Sequence, residues 1–199
     1  GIVGAASIVG GNLIAHWNVD LFVMRAAGMA TGALVALLLG IPALRISGPF
    51  LAVVTLAFAV VIDGFVLNPT VFPDLIPDTV GRPMLWGRID LSQERTMLYA
   101  CLAVLALVIS STLGVRRSRS GRLLLASRDN LKAAEAASVP SVWIRLSGFV
   151  FAGAIAGLAG GLHMLVNNGA RGGSYAPAMS MDVFSLTTIG GLGSVPGAV

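Results

Sequence analysis

Of 199 residues, 56% are hydrophobic and only 11% charged, and the mean hydropathy is +0.87. Soluble domains carry about 25% charged residues, and a water-soluble fold of this size cannot hide so much apolar surface. The net charge of +4 does not point to nucleic acid: the excess sits in one loop, where only Trp143 offers a stacking ring, so anionic headgroups explain it more simply. The composition predicts an all-α, polytopic transmembrane helical bundle of about five to six membrane segments, some of them broken. Residues 1–199 read as one transmembrane domain, a fragment of a longer permease-like chain with both ends truncated.

Residues 1–15 are apolar but fall short of the ~20 residues of a crossing. They predict a truncated helix or half of a broken one, closed by a polar turn from His16 to Asp20. Residues 26–44 form an uncharged run of spanning length. Arg25 at its start is placed to snorkel. Gly28, Gly32, Ala36 and Gly40 recur every fourth residue, so they share one helix face that another helix can approach closely. Pro42 and Arg45 close the segment, and residues 45–49 predict a tight turn.

The next span covers residues 50–67 and contains Thr55 and Asp63. Asp63 lies about four residues from the outer end, ~6 Å at helical rise. It reads either as a pathway residue or as an interfacial carboxylate reaching outer water. Residues 70–95 form a polar connection with Pro73, Pro77 and Pro83 and a net charge of −1. A spanning helix over 96–115 carries Cys101, the lone cysteine.

Residues 116–145 are the most lopsided stretch of the chain, with a net charge of +5. A basic loop between two spans marks the cytoplasmic side, which leaves 70–95 outside. Residues 123–137 predict a short amphipathic helix suited to docking on a partner, and a cysteine at Ser127 would test the side on which it lies. The span over 142–166 carries Gly153, Gly157 and Gly161 as overlapping GxxxG steps, with Ala152, Ala156 and Gly160 beside them. So much glycine is costly in a free helix and points to close packing. Residues 167–181 are polar and Gly-rich. The chain then turns inward from Asp182 and meets Gly190, Gly191, Gly193 and Pro196. That predicts a broken helix beside a transport pathway, or else an exit loop.

Several chemistries are missing from the letters. Lys132 is the single lysine and has no GxxxxGK[ST] around it, so this chain predicts no nucleotide site of its own. His16, His163 and Cys101 have no metal-ligand spacing. The stretch from Gly172 to Ala176 lacks the second glycine of GxSxG. Gly191 and Gly193 lack the third glycine of a dinucleotide fold. No enzyme and no metal are expected.

Three stretches resemble the LivM-type permease subunits of branched-chain amino-acid ABC importers, a family that includes the related LivH type. They are IPALRISGPFLAVVTLAF over 41–58, SGR…RDN…AAEA over 120–136, and GGLGS…PG over 190–197. The resemblance implies half of a translocation pathway in the inner membrane of a bacterium. It implies four partners: a second permease subunit of LivH type, two ATPase subunits that bind ATP and Mg, and an extracytoplasmic solute-binding protein. Membrane lipid surrounds them. The family's Glu-Ala-Ala signature, here Glu135, Ala136 and Ala137, implies a coupling helix seated in the ATPase, with Gly121, Arg122, Arg128 and Asp129 around it. The pathway residues implied are Thr55, Asp63, Asp182, Gly190, Gly191 and Gly193. Gly28, Gly32, Gly40, Gly153, Gly157 and Gly161 are read as packing positions. This chain departs from the family pattern in Ser138-Val139-Pro140 after the signature, in Val60 and Asp63 where the family often has an acid and a base, and in Asp182 for a frequent Glu. Hydrophobic amino acids are the default cargo, with small amides or urea-like solutes as the alternative. A stand-alone channel or secondary carrier, with Asp63 sensing cations, is the reading from a different class, and a structural membrane anchor is a third.

Overall fold

A computed structural model describes residues 1–17, 21–44, 50–66, 93–136, 140–167, 169, 175 and 177–191. The turn at 45–49, nearly all of the connection at 70–95, and Ala137 and Gly193 lie outside these residues. All regular structure among them is helical: α1 Ile2–Trp17, α2 Leu21–Ala43, α3 Phe50–Val61 with a π-helical turn Ile62–Val66, α4 Glu94–Arg117, α5 Arg119–Asp129, α6 Leu131–Ala136, α7 Ser141–Val166 and α8 Pro177–Gly190. Helices α2, α4 and α7 are long and apolar enough to cross a membrane, and shorter apolar segments occupy Ile2–Leu13 and Val53–Phe65. The chain is thus an all-α membrane bundle, with three full spans and several shorter helices among the described residues.

The core is built by α1, α2 and α7, and its first cause is glycine. Helices α2 and α7 run antiparallel with backbones touching. A Cβ on Gly28 would stand 3.0 Å from the Gly157 carbonyl oxygen, and one on Gly32 would lie 2.7 Å from the Gly157 Cα and collide with the Gly153 oxygen. Further along, Gly40 makes room for Leu146 and Phe149. Lipid supplies no hydrophobic force between helices, so this close approach of backbones stands in for it. Helix α1 uses a different glycine: Gly160 admits the Val3 carbonyl, while Gly161 and Gly10 accommodate the Met24 side chain from two sides. Neighbouring glycines on α7 thereby serve two partner helices.

At the end remote from the basic loop, Leu21, Met24, Met97, Met164 and Leu165 close the core. Tyr175, outside the spans, is buried over this end, 5.3 Å from the His163 ring in an edge-on contact. Burial raises its phenol above the ordinary value of 10.0, and a hydrogen bond with Ser7 opposes the rise in part. Stability from this neutral, buried phenol is complete below pH 10.0 and is lost as the pH climbs through the raised value.

Helices α4 and α8 differ from the core. Only Met97 and Val104 of α4 are buried, and α8 is exposed along nearly all its length. Several of their hydroxyls are satisfied within the helix: Ser111 and Thr112 donate to the Val108 oxygen, and Thr187 and Thr188 donate to the oxygens of Val183 and Phe184. A helix with its polar groups paired internally can face hydrocarbon.

The structure corrects three expectations of detail. The single amphipathic helix expected over 123–137 begins at Arg119 and is split in two by Asn130, whose φ of −150° and ψ of 98° are extended. Helix α8 begins at Pro177, inside the polar, Gly-rich stretch 167–181 and five residues before Asp182, where the inward segment was expected to start. Helix α2 starts at Leu21, five residues before the expected Ala26, so Arg25 lies within it rather than at its mouth.

Candidate functional site

The basic loop is joined to α4 almost without slack. Ser118 is at once the last cap of α4 and the first cap of α5, with φ −71° and ψ 167°. Its N–H donates to the oxygens of Gly114 and Val115, and its hydroxyl accepts from the Gly121 N–H at 3.2 Å. One extended residue therefore reverses the chain from a spanning helix into α5. Gly121 is the residue that lets α5 lie under the end of α4. A Cβ there would stand 2.9 Å from the Arg116 Cα and collide with the Val115 oxygen.

Helix α5 then packs on α7. Leu124 reaches Gly148, where a Cβ would lie 3.1 Å from its Cδ2. Ser127 is 2% exposed, with its hydroxyl donated to the Leu124 oxygen. The chain breaks at Asn130 and resumes as α6, whose Ala134 is buried. At the far side Pro140 caps α7 and accepts from the Ile144 N–H at 3.2 Å. The outward face carries Arg116, Arg117, Arg119, Arg122, Arg128, Asp129, Lys132 and Ala136, all exposed. It is a cationic platform fixed to both α4 and α7. The backbone of Glu135 belongs to α6, and its side chain, like Ala137, lies outside the described residues.

Residues 1–199 match the family model described as a branched-chain amino acid transport system permease component. The chain belongs to this family. It is 29% identical over 195 residues to the high-affinity branched-chain amino acid transport system permease protein LivM of Salmonella typhimurium, covering 84% of this chain and 45% of that protein. The LivM of Escherichia coli K12 is likewise 29% identical with the same coverage. The chain spans about half the length of these curated relatives. No solved structure matches it.

The remaining residues singled out from the sequence of this permease-family chain fall into two groups. The packing glycines Gly28, Gly32, Gly40, Gly153, Gly157 and Gly161 are all buried between α2 and its neighbours. The pathway candidates are more scattered. Thr55 is half-buried on α3, and Asp63 is half-buried in the π turn that follows. Helix α8 meets α3, yet Asp182, Gly190 and Gly191 are exposed rather than turned into the core. Gly191 takes a φ of 99°, so the helical course of α8 stops there at a residue suited to the left-handed region. The π turn at Ile62–Val66 was not legible in the letters. Ser118, a residue type favoured at helix N-termini, and the extended Asn130 set the geometry of the platform.

Proposed function

We propose that this chain is the membrane part of an ATP-driven importer permease for branched-chain or other hydrophobic amino acids. It forms half of a translocation pathway in a bacterial inner membrane. A second permease subunit forms the other half, two ATPase subunits dock from the cytoplasm, and an extracytoplasmic binding protein delivers cargo. ATP and Mg act on the ATPase subunits. The observation that carries this reading is the platform of α5 and α6, exposed on one side and joined to α4 through the single residue Ser118. A push on it cannot be absorbed by a slack linker at that end. It tilts α4 directly, and through Leu124 it bears on α7 and hence on α2, which α7 holds by backbone contact.

The relatives' names supply the cargo class, and family membership supplies the kind of assembly. Replacing Ala136, exposed on α6, by Trp adds a large ring to the docking face without touching the core. The expected outcome is normal membrane insertion with leucine uptake into cells reduced at least tenfold and ATP hydrolysis by the assembled complex no longer stimulated by loaded binding protein. Uptake and stimulation both at the wild-type level in Ala136→Trp and in Glu135→Ala would refute coupling through this loop.

A further inference from the structure

Arg25 stands one turn into α2, ~6 Å along the axis from its start. Its Nε and Nη2 atoms are both buried, and neither has a hydrogen-bond partner among the described residues. These two nitrogens form one edge of the guanidinium, with N–H bonds nearly parallel. That edge matches the two oxygens of a single carboxylate or phosphate, whereas a hydroxyl or a carbonyl meets only half of it. Leaving a cationic fork buried and unmet is costly, so the fold retains here a group that this arrangement does not use.

Helix α4 packs beside this part of α2, where Met97, Ala100 and Cys101 meet Leu21 and Met24. Cys101 of α4 is within electrostatic reach of the guanidinium, and Met97 of the same helix seals the adjoining core. Beyond Met97 and Val104, α4 buries little against the rest of the molecule. Helices α2 and α7 are interlocked by glycine, so a separation that uncovers Arg25 would move α4 and leave them in place.

We propose that Arg25 is an oxyanion-binding residue, its Nε–Nη2 edge taking the two oxygens of a carboxylate or phosphate when α4 moves off α2. The carboxylate would come from a small amphipathic acid, the phosphate from a lipid headgroup. The site lies at the end of the bundle remote from the basic platform, and its argument does not need the importer reading.

The lone cysteine of this sequence, Cys101, provides the reporter. The full-length protein, with any cysteine outside these residues replaced by serine, is purified in dodecyl maltoside, which has no carboxylate or phosphate. The rate of N-ethylmaleimide labelling at Cys101 is then measured with leucine, with leucinamide, with phosphatidylglycerol and with uncharged diacylglycerol. An oxyanion holding α4 away from α2 exposes the thiol. Labelling is expected to rise at least threefold with leucine or with phosphatidylglycerol, and not with leucinamide or diacylglycerol. A response to leucine names a carboxylate ligand; a response to phosphatidylglycerol alone names the lipid and stands even if the importer reading fails. Arg25→Gln is expected to abolish the response while eluting as the wild type does. Should that variant fail to fold, Arg25→Lys decides, because a point charge lacks the two-donor fork and its response should fall at least threefold. No response to either oxyanion, or an undiminished response in the variants, overturns the proposal.

Discussion

At the scale of single residues, the glycines of this chain do opposite things according to what stands opposite them. Gly157 faces the backbone of α2, and an added methyl would collide with the Gly28 oxygen and come within 3.0 Å of the Gly32 Cα. Neither neighbour is the free end of a flexible side chain, so the helices themselves must part. Gly114, on α4, would meet nothing within 4 Å. There alanine only restores helix propensity, by up to ~1 kcal/mol in an exposed helix. Gly157→Ala is therefore expected to lower the thermal midpoint of the detergent-purified protein by several degrees, and Gly114→Ala to leave it unchanged or raise it. Fluorescence-monitored melts of the two variants side by side check this; equal midpoints would mean that the α2–α7 contact does not hold the core.

At the scale of elements, the decisive feature is how α4 becomes α5. A spanning helix that ends in Arg116 and Arg117 has its last carbonyls near positive charge, which is favourable at a helix C-terminus. Ser118 then ends one helix and starts the next: its N–H and its hydroxyl both donate backward, the hydroxyl to the Val115 oxygen at 2.6 Å, and the hydroxyl oxygen accepts forward from the Gly121 N–H. Ser118→Ala removes both hydroxyl bonds, to Val115 and from Gly121, and the loss of the N-cap bond alone should cost about 0.5–2 kcal/mol of α5 stability. Gly121→Val does more, because α5 can no longer lie beneath Val115 and Arg116. Amide hydrogen exchange is the measurement: α5 is expected to exchange faster in both variants, with Gly121→Val the stronger, while α2 and α7 keep their protection. The helical periods behind this were open to sequence reading. The four-residue recurrence of Gly28, Gly32, Ala36 and Gly40 is visible in the letters and needs only helix geometry to become a face. The split at Asn130 was not, because the leucines before it and the alanines after it both favour one continuous helix and a single extended residue outweighs them. Nor was the burial of Arg25's donor edge, since burial depends on packing between elements and not on the local letters.

At the scale of the whole molecule, charge and packing divide the chain along the same axis. The exposed cations from Arg116 to Lys132 gather at the end of the bundle where α4 finishes and α7 begins. The methionine-rich core seal, Tyr175 and the start of α4 at Glu94 gather at the other. Retention of basic loops on the cytoplasmic side then fixes the orientation of every span, because α2 is antiparallel to α7 and α4 is joined to α5 by one residue. The expected outcome is that a cysteine at Ser120, in a Cys101→Ser background, resists a membrane-impermeant maleimide in intact cells and reacts once the membrane is opened. A cysteine at Gln93, exposed just before α4, should react in intact cells. Ser127 would be a poor reporter, because at 2% exposure a cysteine there stays silent from either side and reports burial rather than location. Reaction at Ser120 with silence at Gln93 would invert the bundle, put the cationic platform outside, and remove the mechanical basis for driving it from the cytoplasm.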